Sequence, residues 1–247
     1  MKTNQLSSRQ QALLEILKSK SFATVAQLSK ELYVSEITIR RDLRYLESMD
    51  LLRRSHGGAL PLNELNQDLS YSYSLRINTR EKKRIAKKAA SLIKDGSTVF
   101  LDASSSSCAM IPFLAEKKEI FVFTHGLENA MMAANHGLKT FCVGGMVKKI
   151  TTSCVGPSTL KILESIFADY MFFSSRGINE NGIITHQSDD KCKIIQQVMQ
   201  HSKQSYLLCD SSKAGIISTF TICKAEALNG VIADQPFPFE IPNMILP

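Results

Sequence analysis

The residues with the most evident chemistry are arginines that cluster near the start of the chain. A guanidinium group can bind guanine or phosphate through two hydrogen bonds, and short polar side chains at the start of a helix can contact base edges. Arg40 and Arg44 are four residues apart, a spacing that places two side chains on the same side of a helix. The side chains on this helix that we predict to contact DNA are Ser35, Glu36, Thr38, Arg40, Arg41 and Arg44.

A second basic group follows in residues 51–59, whose sequence predicts a small hairpin, or wing, after the helix. Its tip carries Arg53, Arg54 and His56, which can reach the DNA backbone or the minor groove. An arginine-rich helix by itself is more often a solvated surface than a binding site. Because the helix spacing, the outward arginines and the basic hairpin agree, we favour DNA binding.

A helix-turn-helix is predicted to position these side chains. The apolar spacing predicts a helix over residues 8–19, a second that begins at Thr24 and a third over residues 35–49. Residues 33–35 form a tight connection between the second and third helices. The residues that we expect to face inward on the third helix are Ile37, Ile39, Leu43 and Leu46. Residues 1–60 are therefore predicted to form a winged helix-turn-helix domain.

The distribution of charge points in the same direction. The 247 residues include 30 Lys or Arg and 23 Asp or Glu, which gives a formal net charge of +7. Residues 1–60 hold ten of the basic and six of the acidic side chains, a net of +4. More than half of the excess positive charge therefore lies in about a quarter of the chain, as expected of a segment that binds a polyanion.

Composition excludes several other classes of protein. The chain is 44% hydrophobic and 21% charged, which is close to an average globular protein rather than a disordered one. No apolar run approaches the roughly 18–20 residues that span a bilayer, and the first residues carry no apolar leader. The six cysteines show neither a CxxC pair nor Cys/His metal spacing. We expect a cytoplasmic protein with reduced thiols, no membrane partner, no metal and no cofactor.

Beyond a polar linker over residues 61–80, strand-like and helix-like segments alternate as far as residue 235. Continuous apolar strands separated by amphipathic helices favour a mostly parallel sheet covered on both faces, which is a Rossmann-like α/β domain. The predicted strands are residues 97–102, 120–124, 140–143, 170–174, 205–209 and 231–233. The predicted helices are residues 81–94, 108–116, 127–135, 158–166 and 191–202. Residues 236–247 remain as a proline-rich tail.

In such sheets ligands gather at the carboxyl ends of the strands, where this sequence repeatedly places polar residues. The four serines 104–107 could present hydroxyl and amide groups to an anion such as phosphate, although such a run is more often a loop with a helix cap. Asp102 and Asp210 could accept hydrogen bonds from sugar hydroxyls, lysines could supply positive charge, and paired glycines allow close approach of the backbone. The candidate ligand-binding residues are Asp102, Ser104, Ser105, Ser106, Thr124, His125, Gly144, Gly145, Lys193, Asp210 and Lys213.

The largest basic run lies on the predicted helix over residues 81–94. Apolar side chains such as Ile85 and Ala89 are expected to face inward on this helix. Its cations, which we place on the outer face and interpret as solvated side chains, are Lys82, Lys83, Arg84, Lys87 and Lys88.

Residues 34–43, VSEITIRRDL, followed by RSHGGA at residues 54–59, resemble the signature of the DeoR-type bacterial transcription regulators. The resemblance continues to about residue 234 and so covers nearly the whole chain. It implies an N-terminal winged helix-turn-helix and a C-terminal sensor domain that is similar to sugar-phosphate isomerases and binds phosphorylated sugars as effectors. In this family Asp42 would be structural and would pair with an arginine.

The sensor part of the sequence departs from the family pattern at several positions. Ser104 and Ser174 stand where the family has glycine, and His125 stands where it has asparagine. Arg176 occupies a position that is usually acidic or an amide. The resemblance therefore implies a serine-rich phosphate loop with altered sugar-reading residues.

The favoured function is a DNA-binding transcriptional regulator, a repressor of a carbohydrate-utilisation operon that a phosphorylated sugar releases. Because operators are often paired half-sites, we expect a homodimer or a higher homo-oligomer on double-stranded DNA. One alternative is an aldose–ketose isomerase, which needs a positioned carboxylate base, yet residues 172–177 hold no carboxylate. Another alternative is an architectural DNA-binding protein whose second domain only oligomerises. We expect no catalytic residue.

Overall fold

The computed structural model describes residues 6–20, 23–49, 51–55, 57–61, 71–75 and 77–247. The chain divides into two compact units, Met1–Tyr73 and Ser74–Pro247, which are taken separately below. Within these described ranges, no helix combines the length and the apolar composition needed to cross a membrane.

The N-terminal unit has the helices and the wing that the sequence predicts. Its described helices are α1 (Ser8–Ser19), α2 (Val25–Glu31) and α3 (Glu36–Ser48). Its described strands are β1 (Ala23–Thr24), β2 (Leu52–Ser55) and β3 (Gly58–Pro61), which form an antiparallel sheet in the order β1-β3-β2. The prediction of a winged helix-turn-helix is confirmed.

One apolar core holds these elements together, and one predicted member of it is wrong. Ile39, Leu43 and Leu46 of α3 are buried against residues of α1 and α2 such as Leu28. Ile37, expected to face inward, is 78% exposed. The reason is helix geometry, because a residue two positions before Ile39 lies about 200° around the helix from it.

The C-terminal unit is built on one seven-stranded parallel sheet, which confirms the predicted fold class. Its strands are β4 (Thr98–Leu101), β5 (Phe121–Thr124), β6 (Lys139–Cys142), β9 (Ala168–Phe173), β12 (Ser202–Cys209), β14 (Gly230–Ala233) and β15 (Met244–Ile245). They are ordered β15-β14-β12-β9-β4-β5-β6, and every neighbouring pair is parallel. Bulky side chains such as Phe100, Phe123 and Phe173 are fully buried in it.

The strand order creates a switch point between two neighbouring strands. From β4 the chain continues to β5 and β6 on one side, whereas β9 leads to β12 and β14 on the other. Connections that leave in opposite directions open a crevice at the carboxyl ends of such a strand pair. The residues that follow β4 and β9 therefore occupy the position where α/β sheets bind ligands.

One described helix, Tyr71–Ser74, lies in the predicted linker, and the others follow the sequence prediction with differences at their ends. The described helices that follow the wing are α4 (Tyr71–Ser74), α5 (Thr79–Ser91), α6 (Ser105–Cys108), α7 (Ile111–Leu114), α8 (Leu127–Asn135), α9 (Pro157–Leu163) and α10 (Asp189–Gln200). The single helix predicted over 108–116 is divided, because Pro112 lies in the first turn of α7 and lacks the amide that a continuous helix needs. Ser188 caps α10, so α10 begins two residues before the predicted start.

Several short strands were absent from the prediction. An antiparallel sheet consists of β10 (Gly177–Ile178), β11 (Ile183–His186) and β13 (Phe220–Lys224), in that order. A hairpin consists of β7 (Met146–Lys148) and β8 (Ser153–Val155). The tail after residue 235 packs on the unit through buried Phe237 and Ile241 and supplies β15.

The basic run on α5 also differs from its prediction at one residue. Lys83, Arg84 and Lys87 are exposed, as expected of solvated side chains. Lys82, predicted to be on the outer face with them, is instead only 5% exposed. Its ammonium group donates to the carbonyl oxygens of Ser74 and Ile77, hydrogen bonds that compensate for the loss of water.

A buried ion pair joins the first and third helices of the N-terminal unit. Asp42 is 3% exposed and accepts a hydrogen bond from Arg9 Nε at 2.6 Å, with Arg9 Nη2 at 3.3 Å and Gln10 Nε2 at 3.2 Å. The resemblance implied an arginine partner for Asp42, and the geometry confirms it. The pair joins α3 to α1, while Arg40, Arg41 and Arg44 of α3 remain exposed.

We expect Arg9→Ala to destabilise the N-terminal unit by about 2–3 kcal/mol, because it leaves a buried carboxylate with one remaining donor. Asp42→Ala should cost less, about 1 kcal/mol, since the one-third exposed Arg9 side chain can turn to water. Native-state hydrogen exchange at the amides of α1 and α3 measures this unit separately from the other.

The variant that carries both changes should be no less stable than Arg9→Ala alone. The ion pair is already lost in Arg9→Ala, so the added change at Asp42 cannot remove it again. A larger cost for Asp42→Ala than for Arg9→Ala would contradict the assignment of Asp42 as the partner that cannot reach solvent.

Candidate functional site

The exposed face of α3 carries the arginines predicted to meet DNA. Arg40, Arg41 and Arg44 are all exposed. Arg40 Nη2 lies 3.1 Å from the carboxylate of Glu36, which is also exposed, and Arg44 Nε donates to the Arg40 carbonyl oxygen at 3.3 Å. Exposed pairs of this kind contribute about 1 kcal/mol or less, so these guanidinium groups can exchange them for phosphate or guanine.

The start of α3 uses its two hydroxyl residues locally. Ser35 is the N-cap and its hydroxyl accepts a hydrogen bond from the Thr38 amide at 3.3 Å. The hydroxyl oxygens of Ser35 and Thr38 lie 3.0 Å apart. Both residues therefore define where the helix begins, and Ser35 also lies exposed beside the arginines.

The wing presents less free charge than the sequence suggests. The main-chain amide and the Nε of Arg54 both donate to the carboxylate of Glu47 on α3. These bonds lower the pKa of Glu47. Arg54 therefore links the wing to α3. The side chain of Arg53 and the whole of His56 lie outside the described residues.

Two apolar side chains near the arginines were missed as candidate contacts. Tyr33, in the turn before α3, is 94% exposed and has a left-handed backbone with φ +54°, and Ile37, in the first turn of α3, is also exposed. Apolar groups at the start of such a helix can contact the methyl group of thymine. For Ile37 the signal was available, since it lies outside the spacing that relates Ile39, Leu43 and Leu46.

Asp102 lies at the switch point of the C-terminal unit, directly after β4, and is fully buried. Its carboxylate accepts hydrogen bonds from the hydroxyls of Ser104 and Ser107, both at 2.5 Å, and from the Ser174 amide at 3.1 Å. The Lys191 ammonium lies 2.9 Å away. Burial raises the pKa of Asp102, but Lys191 and these hydrogen bonds outweigh burial and lower it to about 2.

This environment changes the role expected of Asp102. A carboxylate has about four acceptor positions, and the donors from the loop, from Ser174 and from Lys191 occupy them. The prediction that Asp102 accepts hydrogen bonds from sugar hydroxyls does not fit this geometry. Asp102 instead joins the ends of β4 and β9 to α10.

The serine loop, residues 104–107, donates hydrogen bonds to Asp102 and does not present its hydroxyls to solvent. Ser104 caps α6, a helix of only four residues, and its hydroxyl donates to Asp102. Ser105 and Ser106 are 7% and 2% exposed. The hydroxyls predicted to face an anion are therefore buried or already bonded, because the ionised carboxylate beneath the loop needs donors of its own.

A second carboxylate–lysine pair, between Asp210 and Lys213, follows β12. The Lys213 ammonium donates to the Ser174 hydroxyl at 2.6 Å and lies 3.6 Å from Asp210 Oδ2. The other oxygen of Asp210 accepts from Asn78 Nδ2 at 2.9 Å and from the Ser212 hydroxyl. Burial raises the pKa of Asp210, and Lys213 with these donors lowers it by more. This pair is looser than the one between Asp102 and Lys191.

The lysine of α10 that reaches Asp102 is Lys191, not Lys193, which was predicted to supply charge at this edge. Lys193 is exposed and pairs with Asp189 at 2.6 Å, one turn before it on the same helix. Lys191 instead points to Asp102. Two residues correspond to about 200° around a helix, so only one of the two lysines can face the sheet.

His186, at the end of β11, is buried at the carboxyl edge and feels the charges of three lysines. Its Nδ1 accepts from the Ser188 amide at 3.0 Å, so a neutral ring carries its proton on Nε2. Burial lowers the pKa of His186 well below its usual value, and the charges of Lys191, Lys213 and Lys148 lower it further while Asp102 opposes them. No motif in the sequence marked His186 or Lys148, because residues distant in the chain bring them together.

Thr124 and His125 lie at the end of β5 as predicted, both buried. The Thr124 hydroxyl accepts from the Gly126 amide at 3.1 Å. The His125 ring stacks on Phe100 with centroids 5.9 Å apart, and its Nδ1 has no hydrogen-bond partner within the described part of the chain. Burial lowers the pKa of His125 to about 4, so the ring is neutral and has an acceptor available.

Gly144 and Gly145 follow β6, and their neighbours explain one of them. The Thr159 hydroxyl donates to the Gly144 carbonyl oxygen at 2.8 Å. A Cβ added at Gly145 would lie 1.9 Å from that hydroxyl oxygen, and φ there is +149°. Glycine is therefore required at 145 by the approach of Thr159, whereas Gly144 has open space around it.

The described residues hold no group of three His, Cys, Asp or Glu side chains placed to bind a metal ion. The six cysteines are free thiols. The chemistry available at the carboxyl edge is therefore that of lysine ammonium groups, hydroxyls and neutral imidazoles, which suits the binding of an anion.

Comparison with protein families gives matches over both units. Residues 9–65 match the family described as the DeoR-like helix-turn-helix domain, and residues 77–235 match the DeoR C terminal sensor domain. The second match alone covers more than half of the chain and includes the whole carboxyl edge described above.

Curated relatives match this chain along almost its full length. A protein named HTH-type transcriptional repressor GlcR from Bacillus subtilis is 33% identical over 227 residues, covering 91% of this chain and 86% of that protein. The L-fucose operon activator of Haemophilus influenzae is 30% identical over 233 residues, with coverage of 93% and 92%.

Among solved structures, a ribose 5-phosphate isomerase A from Methanocaldococcus jannaschii is 19% identical and covers 56% of this chain and 55% of that one. Its TM-score of 0.42 is too low to support a functional argument. The family assignment follows from the two family matches and the relatives: the chain belongs to the DeoR family of DNA-binding transcriptional regulators.

Proposed function

We propose that α3 and the wing bind operator DNA and that a phosphorylated sugar bound at the carboxyl edge of the sheet changes this binding. The regulated genes are a carbohydrate-utilisation operon, and the protein acts as a repressor. Names of relatives support this proposal, since they include a lactose phosphotransferase system repressor from Staphylococcus epidermidis. One relative is named an activator, so the direction of regulation needs the operon test below.

The observation that carries the ligand proposal is a group of three lysines bonded around the same polar residues at the carboxyl edge. Lys191 lies 2.9 Å from Asp102, and Lys213 donates to Ser174, whose amide donates to Asp102. Lys148 donates to the Ser188 hydroxyl at 3.4 Å, and the Ser188 amide donates to the buried ring of His186. A phosphate dianion would accept hydrogen bonds from these ammonium groups. The neutral ring, which carries its proton on Nε2, would add a hydrogen-bond donor.

An isomerase is the weaker candidate. Abstraction of a proton beside a carbonyl needs a base whose pKa is near neutral and whose lone pair is free. Asp102 has a pKa of about 2 and its acceptor positions are occupied, so it is unsuited to that role. The family assignment also favours regulation over catalysis.

The other alternative, a DNA-binding protein whose second unit only oligomerises, does not require the lysine cluster. Three half-buried lysines brought to one edge of the sheet suit an anionic ligand, so their presence favours a sensor. We further propose a homodimer or a higher homo-oligomer, because one small reader of DNA gains affinity and specificity when it is paired on two half-sites.

Arg40→Ala and Arg41→Ala should each weaken operator binding by about 1–3 kcal/mol, because each removes a guanidinium group from the DNA-facing side of α3. Arg84→Ala is the matched control, since it removes an equally exposed arginine from the C-terminal unit and should change binding by less than about 0.5 kcal/mol. Fluorescence anisotropy on the operator at fixed salt measures all three variants. Equal affinity for wild type, Arg40→Ala and Arg41→Ala would contradict the proposed DNA-binding face.

Lys191→Gln and Lys193→Gln test the ligand site with the same change two residues apart on α10. The first should abolish the effect of ligand on operator binding because it removes a cation that faces the anion. The second should keep that effect because Lys193 pairs with Asp189 in solvent.

The measurement is operator anisotropy with and without a panel of glucose 6-phosphate, fructose 1-phosphate, galactose 6-phosphate and ribose 5-phosphate. Circular dichroism checks that Lys191→Gln, which leaves Asp102 without its lysine, remains folded; Lys213→Gln is the second variant and should also lose the response. A wild type that responds to no sugar phosphate, or a response lost in Lys193→Gln and kept in Lys191→Gln, would overturn the proposed ligand site. Transcription of the adjacent operon in a deletion strain gives the direction of regulation.

A further inference from the structure

The described residues by which the chain enters the C-terminal unit, 74, 75, 77 and 78, are bonded to the proposed ligand site through Asn78. They are called the entering segment below. Asn78 Nδ2 donates to Asp210 Oδ1 at 2.9 Å and to the Ser212 hydroxyl at 3.0 Å. Asp210 in turn faces Lys213. Asn78 is therefore linked to Lys213, a lysine of the proposed ligand site, through the side chain of Asp210. Asn78 and Asp210 are 132 residues apart in the sequence.

Asn78 makes this contact with a side chain that does not cap its own helix. It is the N-cap of α5, where an asparagine side chain usually accepts a hydrogen bond from an amide of the first turn. No such capping bond is formed, and the backbone of Asn78 is left-handed with φ +50°. The side chain serves Asp210 instead of its own helix.

Lys82 holds the same segment from the other side. Its buried ammonium group donates to the carbonyl oxygens of Ser74 and, at 2.9 Å, of Ile77. Burial lowers the pKa of Lys82 to about 8, the charge of Lys213 lowers it too, and Asp210 opposes them. The pKa of Lys82 therefore depends on Asp210, which Asn78 contacts, and on Lys213, which lies next to Asp210.

We propose that Asn78 and Lys82 transmit the occupancy of the ligand site to the segment that connects the sensor to the DNA-binding unit. The proposal rests on the function proposed above and names two positioning residues through which an anion on Lys213 acts.

The physical step is a change of partners around Asp210. Lys213 lies 3.6 Å from Asp210, so an incoming phosphate can take over its charge without breaking a close contact. Asp210 then depends more on Asn78 and Lys82, and the repulsion between Lys213 and Lys82 is reduced. Both effects strengthen the bonds that Asn78 and Lys82 make with the entering segment and with Asp210, so ligand and entering segment share one coupling free energy.

Asn78→Gly tests the amide without disturbing the backbone, because glycine adopts a positive φ readily. Asn243→Gly is the matched control, since Asn243 also has a left-handed backbone, φ +57°, but lies in the tail and bonds to the Leu228 carbonyl oxygen. Lys82→Met removes the buried cation at similar volume, and Lys83→Met is its exposed neighbour on α5.

Two quantities are measured on the full-length protein: the affinity for the most effective panel sugar phosphate by calorimetry, and the operator affinity with and without it. In Asn78→Gly we expect ligand affinity within about threefold of wild type, while the ligand-induced change in operator affinity, about tenfold or more in wild type, falls to near one. Lys82→Met should show the same loss, and both control variants should respond as wild type does.

Hydrogen exchange gives a readout independent of DNA and of the sugar. Inorganic phosphate should slow exchange of the amides at residues 77–82 in wild type and in Asn243→Gly, but not in Asn78→Gly. An undiminished operator response in Asn78→Gly overturns the coupling proposal alone, as does loss of ligand binding in that variant, which would make Asn78 part of the ligand site. A wild type that binds no sugar phosphate overturns the proposed function and the coupling together.

Discussion

The buried carboxylate of Asp102 is the constraint on which the C-terminal unit depends. A charge without water at the switch point of a parallel sheet is costly unless donors surround it. This chain supplies them from the loop after β4, from Ser174 after β9 and from Lys191 on α10. Three elements are thereby held to one point, and the serines that could have met a ligand are committed to the carboxylate. The ligand site that we propose therefore uses the other polar groups at this edge, the lysine ammonium groups and the neutral histidine.

Two carboxylate–lysine pairs at this edge differ in how closely the two charged groups approach. Asp102 and Lys191 are 2.9 Å apart and reinforced by serine donors, whereas Asp210 and Lys213 are 3.6 Å apart. The N-terminal unit repeats the first arrangement with Asp42, which holds α1 against α3 through Arg9. In both units a carboxylate with several donors lies near cations to which we assign an anion, DNA phosphate in one case and a small phosphate in the other.

Sequence reasoning predicted what periodicity and local motif specify. The winged helix-turn-helix and the parallel sheet follow from apolar spacing and from the alternation of strands and helices, whereas the structural role of Asp42 came from the family resemblance. The site residues at strand ends were placed at the correct edge, yet their partners were not foreseen. Lys191 rather than Lys193 faces Asp102 because helix phase depends on where α10 begins, and Ser188 sets that start. Lys82 and His186 are buried by contacts between distant segments, which no local pattern records.

The most direct test of the sensor mechanism is a crystal structure of the protein with the sugar phosphate that most changes operator binding. We predict that the phosphate lies within hydrogen-bond distance of Lys213 and Lys191 and beside His186, with the hydroxyls of Ser104 and Ser107 still donating to Asp102. A phosphate held by Ser105 and Ser106, with the serine loop released from Asp102, would contradict the assignment of the loop to structure and of the lysines to the ligand.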